Sequence, residues 1–142
     1  MKTLRILIVE DDSFMLGLQK IKLQEALDEE KIIAEIFTAE NLEEAFLKFN
    51  TLKPNLVSTD LIYPRQKIGN IKIHSGQMFI EEVKTLPNET NFVVCTGSSD
   101  KNTPEFPKDV IVTKKYGIPN WIKVLVEVMM TIARKQQTSI IL

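Results

Sequence analysis

Five short apolar runs, four of them broken off by a polar or charged residue, constrain this chain more than any other feature. Leu4–Val9 ends abruptly in Glu10-Asp11-Asp12, and residues 32–37 form a second, β-branched run. Residues 56–59 end at Asp60, 92–95 at Thr96-Gly97, and 110–113 at Lys114-Lys115. Runs of this length suit strands buried on both faces.

The stretches between the runs carry helical spacing. Ser13 is a candidate helix cap. After it, Phe14, Leu18 and Ile21 give one apolar stripe, Leu23, Ala26 and Leu27 extend the buried side, and Asp28-Glu29-Glu30 ends the helix. Asn41 opens a second helix through Leu42, Ala45, Phe46 and Phe49, stopped by Lys53-Pro54-Asn55. Residues 76–83 form a third, with Met78, Phe79, Ile80 and Val83 apolar, and Leu86-Pro87-Asn88 stops it. Pro119 suits the first turn of a last helix carrying Trp121, Ile122, Leu125, Val126, Met129 and Ile132. Strands alternating with helices predict an α/β domain whose parallel sheet is covered on both faces.

In such sheets ligands bind beyond the carboxyl ends of the strands. Those ends carry Glu10, Asp11, Asp60, Thr96 and Lys114: three carboxylates, a hydroxyl and an amine. Carboxylates that close repel unless a cation sits among them, and oxygen ligands suit a hard ion such as Mg²⁺. A carboxylate beside Mg²⁺ can attack a phosphoryl group. The metal and a lysine then neutralise charge on the equatorial oxygens, a threonine hydroxyl donates to another, and Gly97 leaves room for the group to enter. Asp12 reads as a helix-start residue only.

Composition narrows the alternatives. The chain has 142 residues, enough for one domain with its own core. With 18 Lys+Arg against 19 Asp+Glu, bulk charge gives no grip on nucleic acid. A single cysteine, Cys95, excludes an internal disulfide or Cys-rich zinc site, and a single histidine, His74, excludes sites needing two. No run approaches a membrane span and there is no signal-peptide core, so a soluble, cytoplasmic protein with no membrane partner is expected. Cys95 precedes a small-residue loop, but Lys101 stands where a cysteine phosphatase needs arginine, so Cys95 reads as a buried strand residue.

The segments Ile6-Leu7-Ile8-Val9-Glu10-Asp11-Asp12, Asp60-Leu61-Ile62-Tyr63-Pro64, Thr96-Gly97 and Thr113-Lys114 together resemble the receiver domain of two-component response regulators. The resemblance runs from about residue 4 to 134. It implies a five-stranded, doubly wound sheet of flavodoxin-like order, in a stand-alone, chemotaxis-regulator-like arrangement. It makes Asp60 the phospho-acceptor and Mg²⁺ the cofactor. Asp11 would bind the metal directly, Glu10 through water, and Ile62 through its backbone carbonyl. Thr96 would bind and report the phosphoryl group and Lys114 would pair with it. A histidine kinase or phosphotransfer protein would be the donor, and a downstream protein the target. Such a domain catalyses its own phosphorylation and has no dedicated metabolic activity.

Four features depart from the family pattern. An insert at residues 65–75 reads as a hairpin turning at Gly69-Asn70; it carries Arg65, Lys67 and Lys72 and no acid. It is either a basic flap near the acidic pocket or a solvated hairpin, and His74 within it reads as solvated. Pro104 and Pro107 predict a short, irregular or missing fourth helix over residues 98–108. Ile111 stands where the family often has a switching aromatic, so coupling is weak or rerouted, with Tyr116 one route. Ile62 and Ser98 hold the positions that tune water access, and an apolar Ile62 predicts slow autodephosphorylation.

Only 28 residues follow Lys114, which reads as one helix and a tail over 135–142. The expectation is therefore a single receiver over 1–142 that signals by protein contact. The apolar Ile140-Ile141-Leu142 end either frays or docks, on the body or on a second copy as a homodimer. One alternative is a phosphorylation-independent receiver-like module binding through the hairpin and the altered fourth-helix face. Another is a Mg²⁺-dependent phosphohydrolase, which commonly needs a carboxylate where Ile62 stands, or a flavodoxin-like cofactor binder.

Overall fold

The computed structural model describes residues 3–60, 66–68, 71–73, 75–86, 88–96, 109–114 and 117–141; for 66–68, 71–73, 75–78, 96, 114 and 137–141 it describes the backbone alone. In chain order the elements are β1 (Leu4–Val9), α1 (Ser13–Glu29), β2 (Ala34–Ala39), α2 (Leu42–Leu52), β3 (Leu56–Asp60), β4 (Gln66–Ile68), β5 (Ile71–Ile73), α3 (Ser75–Lys84), β6 (Asn91–Thr96), β7 (Ile111–Lys114) and α4 (Ile118–Ile141).

Five strands form one parallel sheet in the order β2-β1-β3-β6-β7. The expected doubly wound α/β fold is therefore present. Strand alternation sends Leu7, Val9, Val57, Phe92 and Val94 to the face under α2 and α3, where Phe79 meets Phe46 and Phe49 edge-on at 5.2 and 5.9 Å between ring centres. It sends Ile6, Ile8, Leu56, Val93 and Cys95 to the other face, beneath Leu16, Leu23 and Leu27 of α1 and Trp121, Leu125 and Met129 of α4. No described helix is long and apolar enough to cross a membrane.

Helix starts follow local chemistry. Asp12, not Ser13, caps α1: its carboxylate accepts from the Phe14 and Met15 amides at 3.0 and 3.1 Å. Ser13 is already helical, and a carboxylate one residue earlier meets the positive end of the helix better than a hydroxyl does. Asn41 caps α2 as expected, accepting from the Glu44 amide at 2.8 Å. Lys53 closes α2 in the left-handed region at φ 47°, just ahead of Pro54.

Three further expectations are corrected. The Phe14, Leu18, Ile21 stripe does not face the core: Phe14 is 79% and Ile21 58% exposed. The buried line is Leu16, Gln19, Leu23 and Leu27. At roughly 100° per residue, Phe14, Leu18 and Ile21 fall on the far side of the helix from Leu16. Helix α1 thus has two apolar stripes, and only one is covered by the domain. Strand β2 starts two residues later than read, because Ile32 still belongs to the close of α1, its amide donating to the Leu27 carbonyl at 2.9 Å. The tail over 135–142 is helical backbone as far as Ile141, the unbroken end of α4.

The insert forms the antiparallel pair β4–β5, a sheet of its own, with Gln66 opposite Ile73, Lys67 opposite Lys72 and Ile68 opposite Ile71. Its turn at Gly69-Asn70 and His74 lie outside the described residues, as does the irregular fourth helix expected over 98–108.

Candidate functional site

The carboxyl edge of the sheet collects the expected residues in register. Val9 pairs with Thr59, and the Glu10 amide extends the ladder by one, donating to the Ala39 carbonyl at 3.0 Å. Asp60 is the last residue of β3 and pairs with Cys95 of β6, which pairs in turn with Thr113 of β7. Thr96 and Lys114 pair with each other one step beyond that row. Their backbone positions are thus brought to Asp60 as expected; their side chains lie outside the described residues, as do Ile62, Gly97, Ser98 and Tyr116.

Three carboxylates meet at this edge. Oxygens of Glu10, Asp11 and Asp60 all lie within 4.8 Å of one another. Glu10 is 1% and Asp60 3% exposed, and Asp11 is the most open of the three. Glu10 follows directly on buried β1, and Asp60 keeps the alternation that buries Leu56 and Ser58 on the α1/α4 side. Three acids this close, two of them out of water, favour a cation among them, because neither burial nor a like-charged neighbour favours ionised carboxylate. A donor set made only of oxygens fits a hard divalent ion. The residues present therefore fit Mg²⁺. Asp12, read as a helix-start residue, is occupied by its cap and stands outside the cluster.

Sequence reading missed Ser58 and Trp121 as site neighbours. The Trp121 indole N–H donates to the Ser58 hydroxyl oxygen at 2.8 Å, both groups buried. The available signal was a hydroxyl two residues before Asp60, on the same strand face. Trp121 reads as plain core until its polar edge finds that hydroxyl. Gln19 is buried on α1 with its side-chain oxygen unbonded.

Solved structures share this fold. A Francisella response-regulator receiver domain superposes with a TM-score of 0.67 at 16% identity, covering 91% of this chain and 98% of its own. The Thermotoga maritima response regulator TrrA, in complex with Mg²⁺ and BeF, superposes with a TM-score of 0.65 at 25% identity, over 89% of this chain and 99% of that one. This chain has the fold of a response-regulator receiver domain. A two-component transcriptional regulator from Clostridium phytofermentans shares that receiver fold at a TM-score of 0.65 and 20% identity, over 96% of this chain and 99% of its own. No family profile matches the sequence, and no curated protein matches it. Ile111, at the start of β7, is exposed.

Proposed function

We propose that this chain is a phosphorylation-dependent signalling receiver. Asp60 accepts a phosphoryl group from a phosphohistidine on a histidine kinase or phosphotransfer protein. The reaction needs Mg²⁺, and the phosphorylated form acts by contact with a downstream protein. The observation that carries this reading is the cluster of Glu10, Asp11 and Asp60 oxygens within 4.8 Å at the end of β3, in a receiver fold. The Mg²⁺ and BeF complex of the Thermotoga protein supports the same reading.

Asp60 is the nucleophile. One carboxylate oxygen attacks phosphorus in line; the new O–P bond forms as the P–N bond to the donor imidazole breaks and its electron pair returns to the ring. Glu10 and Asp11 would hold the cation together with the Ile62 carbonyl, Asp11 as the direct ligand and Glu10 through water. When bound, Mg²⁺ supplies the positive charge that lets Asp60 approach an anionic donor. The Thr96 hydroxyl donates to one phosphoryl oxygen and the Lys114 ammonium pairs with another. The apolar side chain of Ile62 positions no water, which favours a slow return to the free carboxylate.

Asp11 is the open side of the cluster, and α1 begins two residues later. A protein donor reaching Asp60 from there crosses the outer stripe of Phe14, Leu18 and Ile21. Phe14 and Ile21 on that stripe are exposed, which suits a protein partner better than a small molecule.

The test is intact-mass spectrometry after incubation with acetyl phosphate, with and without Mg²⁺, on wild type and Asp60→Asn. One added phosphoryl group, dependent on Mg²⁺ and absent from the variant, is expected. No adduct under conditions that modify a known receiver would reject the proposal.

A second reading rests on β4–β5. The hairpin forms its own small sheet, and its register sets Lys67 directly opposite Lys72. Paired like charges cost stability unless an anionic surface meets them. Under that reading the hairpin binds a partner whether or not Asp60 is modified, and partner binding survives Asp60→Asn.

A further inference from the structure

The aromatic that β7 lacks at position 111 has a counterpart on α4. Ser58 lies two residues before Asp60 on the same strand and the same sheet face. Its hydroxyl oxygen accepts the indole N–H of Trp121 at 2.8 Å, across 63 residues of chain. Trp121 sits in the first turn of α4, where its amide donates to the Gly117 carbonyl at 2.9 Å and the neighbouring Asn120 side chain reaches the Thr113 hydroxyl at 3.4 Å. The end of β3 and the start of α4 are thus joined by a buried polar contact beside the acidic cluster.

We propose that Ser58 and Trp121 are positioning residues that couple the state of Asp60 to α4. The inference rests on Asp60 being the acceptor. A phosphoryl group adds volume at the end of β3 and, because it is carried on a carboxylate that was already charged, about one further negative charge. The strand must adjust, and a close-packed interior passes small shifts on instead of absorbing them. The indole N–H is a donor only, and releasing Ser58 would leave it buried and unpaired. Trp121 therefore follows Ser58, and the first turn of α4 moves with it. The readout leaves the domain through α4, in place of an aromatic on β7.

Trp121 is the only tryptophan in the chain, so tryptophan emission reports on this indole alone. The experiment records intrinsic fluorescence and intact mass on the same samples of wild type and Ser58→Ala, before and after acetyl phosphate with Mg²⁺. Hydrogen exchange of the α4 amides in the wild type needs no variant and is measured alongside. The expected result is equal adduct in both proteins, a change of emission in the wild type that shrinks at least several-fold in Ser58→Ala, and altered exchange in the first turn of α4. Mere nearness of the phosphoryl group to the indole would leave the emission change intact in Ser58→Ala, which would overturn the coupling. A full adduct with unchanged wild-type emission and exchange would overturn it as well. Absence of any adduct would reject Asp60 as acceptor, and the coupling with it; the mass record tells these failures apart.

Discussion

Cys95 on β6 stands directly opposite Asp60 on β3 in the register of the central sheet. The only thiol of the chain is therefore one strand away from the candidate acceptor, and it is buried. Native protein should react with a thiol reagent orders of magnitude more slowly than protein in denaturant, since attack must await local opening. A thiol titration in buffer and in guanidinium checks this. Fast labelling of folded protein would contradict the burial.

The acidic cluster predicts a metal-dependent melting temperature. A cation that binds only the folded state stabilises it by about 2.7 kcal/mol at a hundred times its dissociation constant. Mg²⁺ should raise the wild-type midpoint and chelation should lower it. Asp60→Asn removes one of the three carboxylates, so it should melt no lower than wild type without metal and gain much less with it. An equal gain in both proteins would place the ion elsewhere.

Helix α1 offers two opposing changes. A Cβ added at Gly17 would meet nothing within 4 Å. Gly17→Ala should therefore stabilise by about 0.5–1 kcal/mol through lower backbone entropy alone. Asp12→Ala removes the cap on two amides and should cost about 1 kcal/mol. Urea midpoints moving in opposite directions would confirm both.

The pair of Lys84 and Asp109, at 2.5 Å, ties the end of α3 to the approach to β7. The hydrogen bond from Lys84 holds the Asp109 carboxyl below its ordinary value of 3.8. A depressed acid contributes stability above its unfolded value and loses it as pH falls through the folded one. Asp109→Asn should thus be less stable than wild type at pH 7 and converge with it under strong acid. Asp109 is largely exposed, so the gap should stay under about 1 kcal/mol. Denaturation curves across that range measure it.

The central strands β1, β3 and β6 were legible because each is a short apolar run covered on both faces, where burial dictates composition; the edge strands β2 and β7 are more open, and β2 was misplaced by two residues. The acidic site was legible for a related reason: Glu10, Asp11 and Asp60 interrupt those runs at the one edge where polar side chains are tolerated. Helix faces were harder. Phe14, Leu18 and Ile21 match helical spacing as well as Leu16, Leu23 and Leu27 do, and periodicity cannot say which stripe the sheet takes. Asp12 and Ser13 both suit a cap, and one residue of register decided between them. The Ser58–Trp121 contact joins residues far apart in the chain, and a strand serine beside a helix tryptophan has no spacing that announces it.

Among the described residues, the lysine pair of β4–β5 belongs to a sheet that shares no ladder with the central one. In the chain the hairpin is inserted between β3 and α3, as a module added to the scaffold. A chain could acquire such a module, exchange its charges or shed it without reshuffling a single strand of the scaffold that holds Asp60. Partner choice and phosphoryl chemistry would then be free to diverge at different speeds within one small domain.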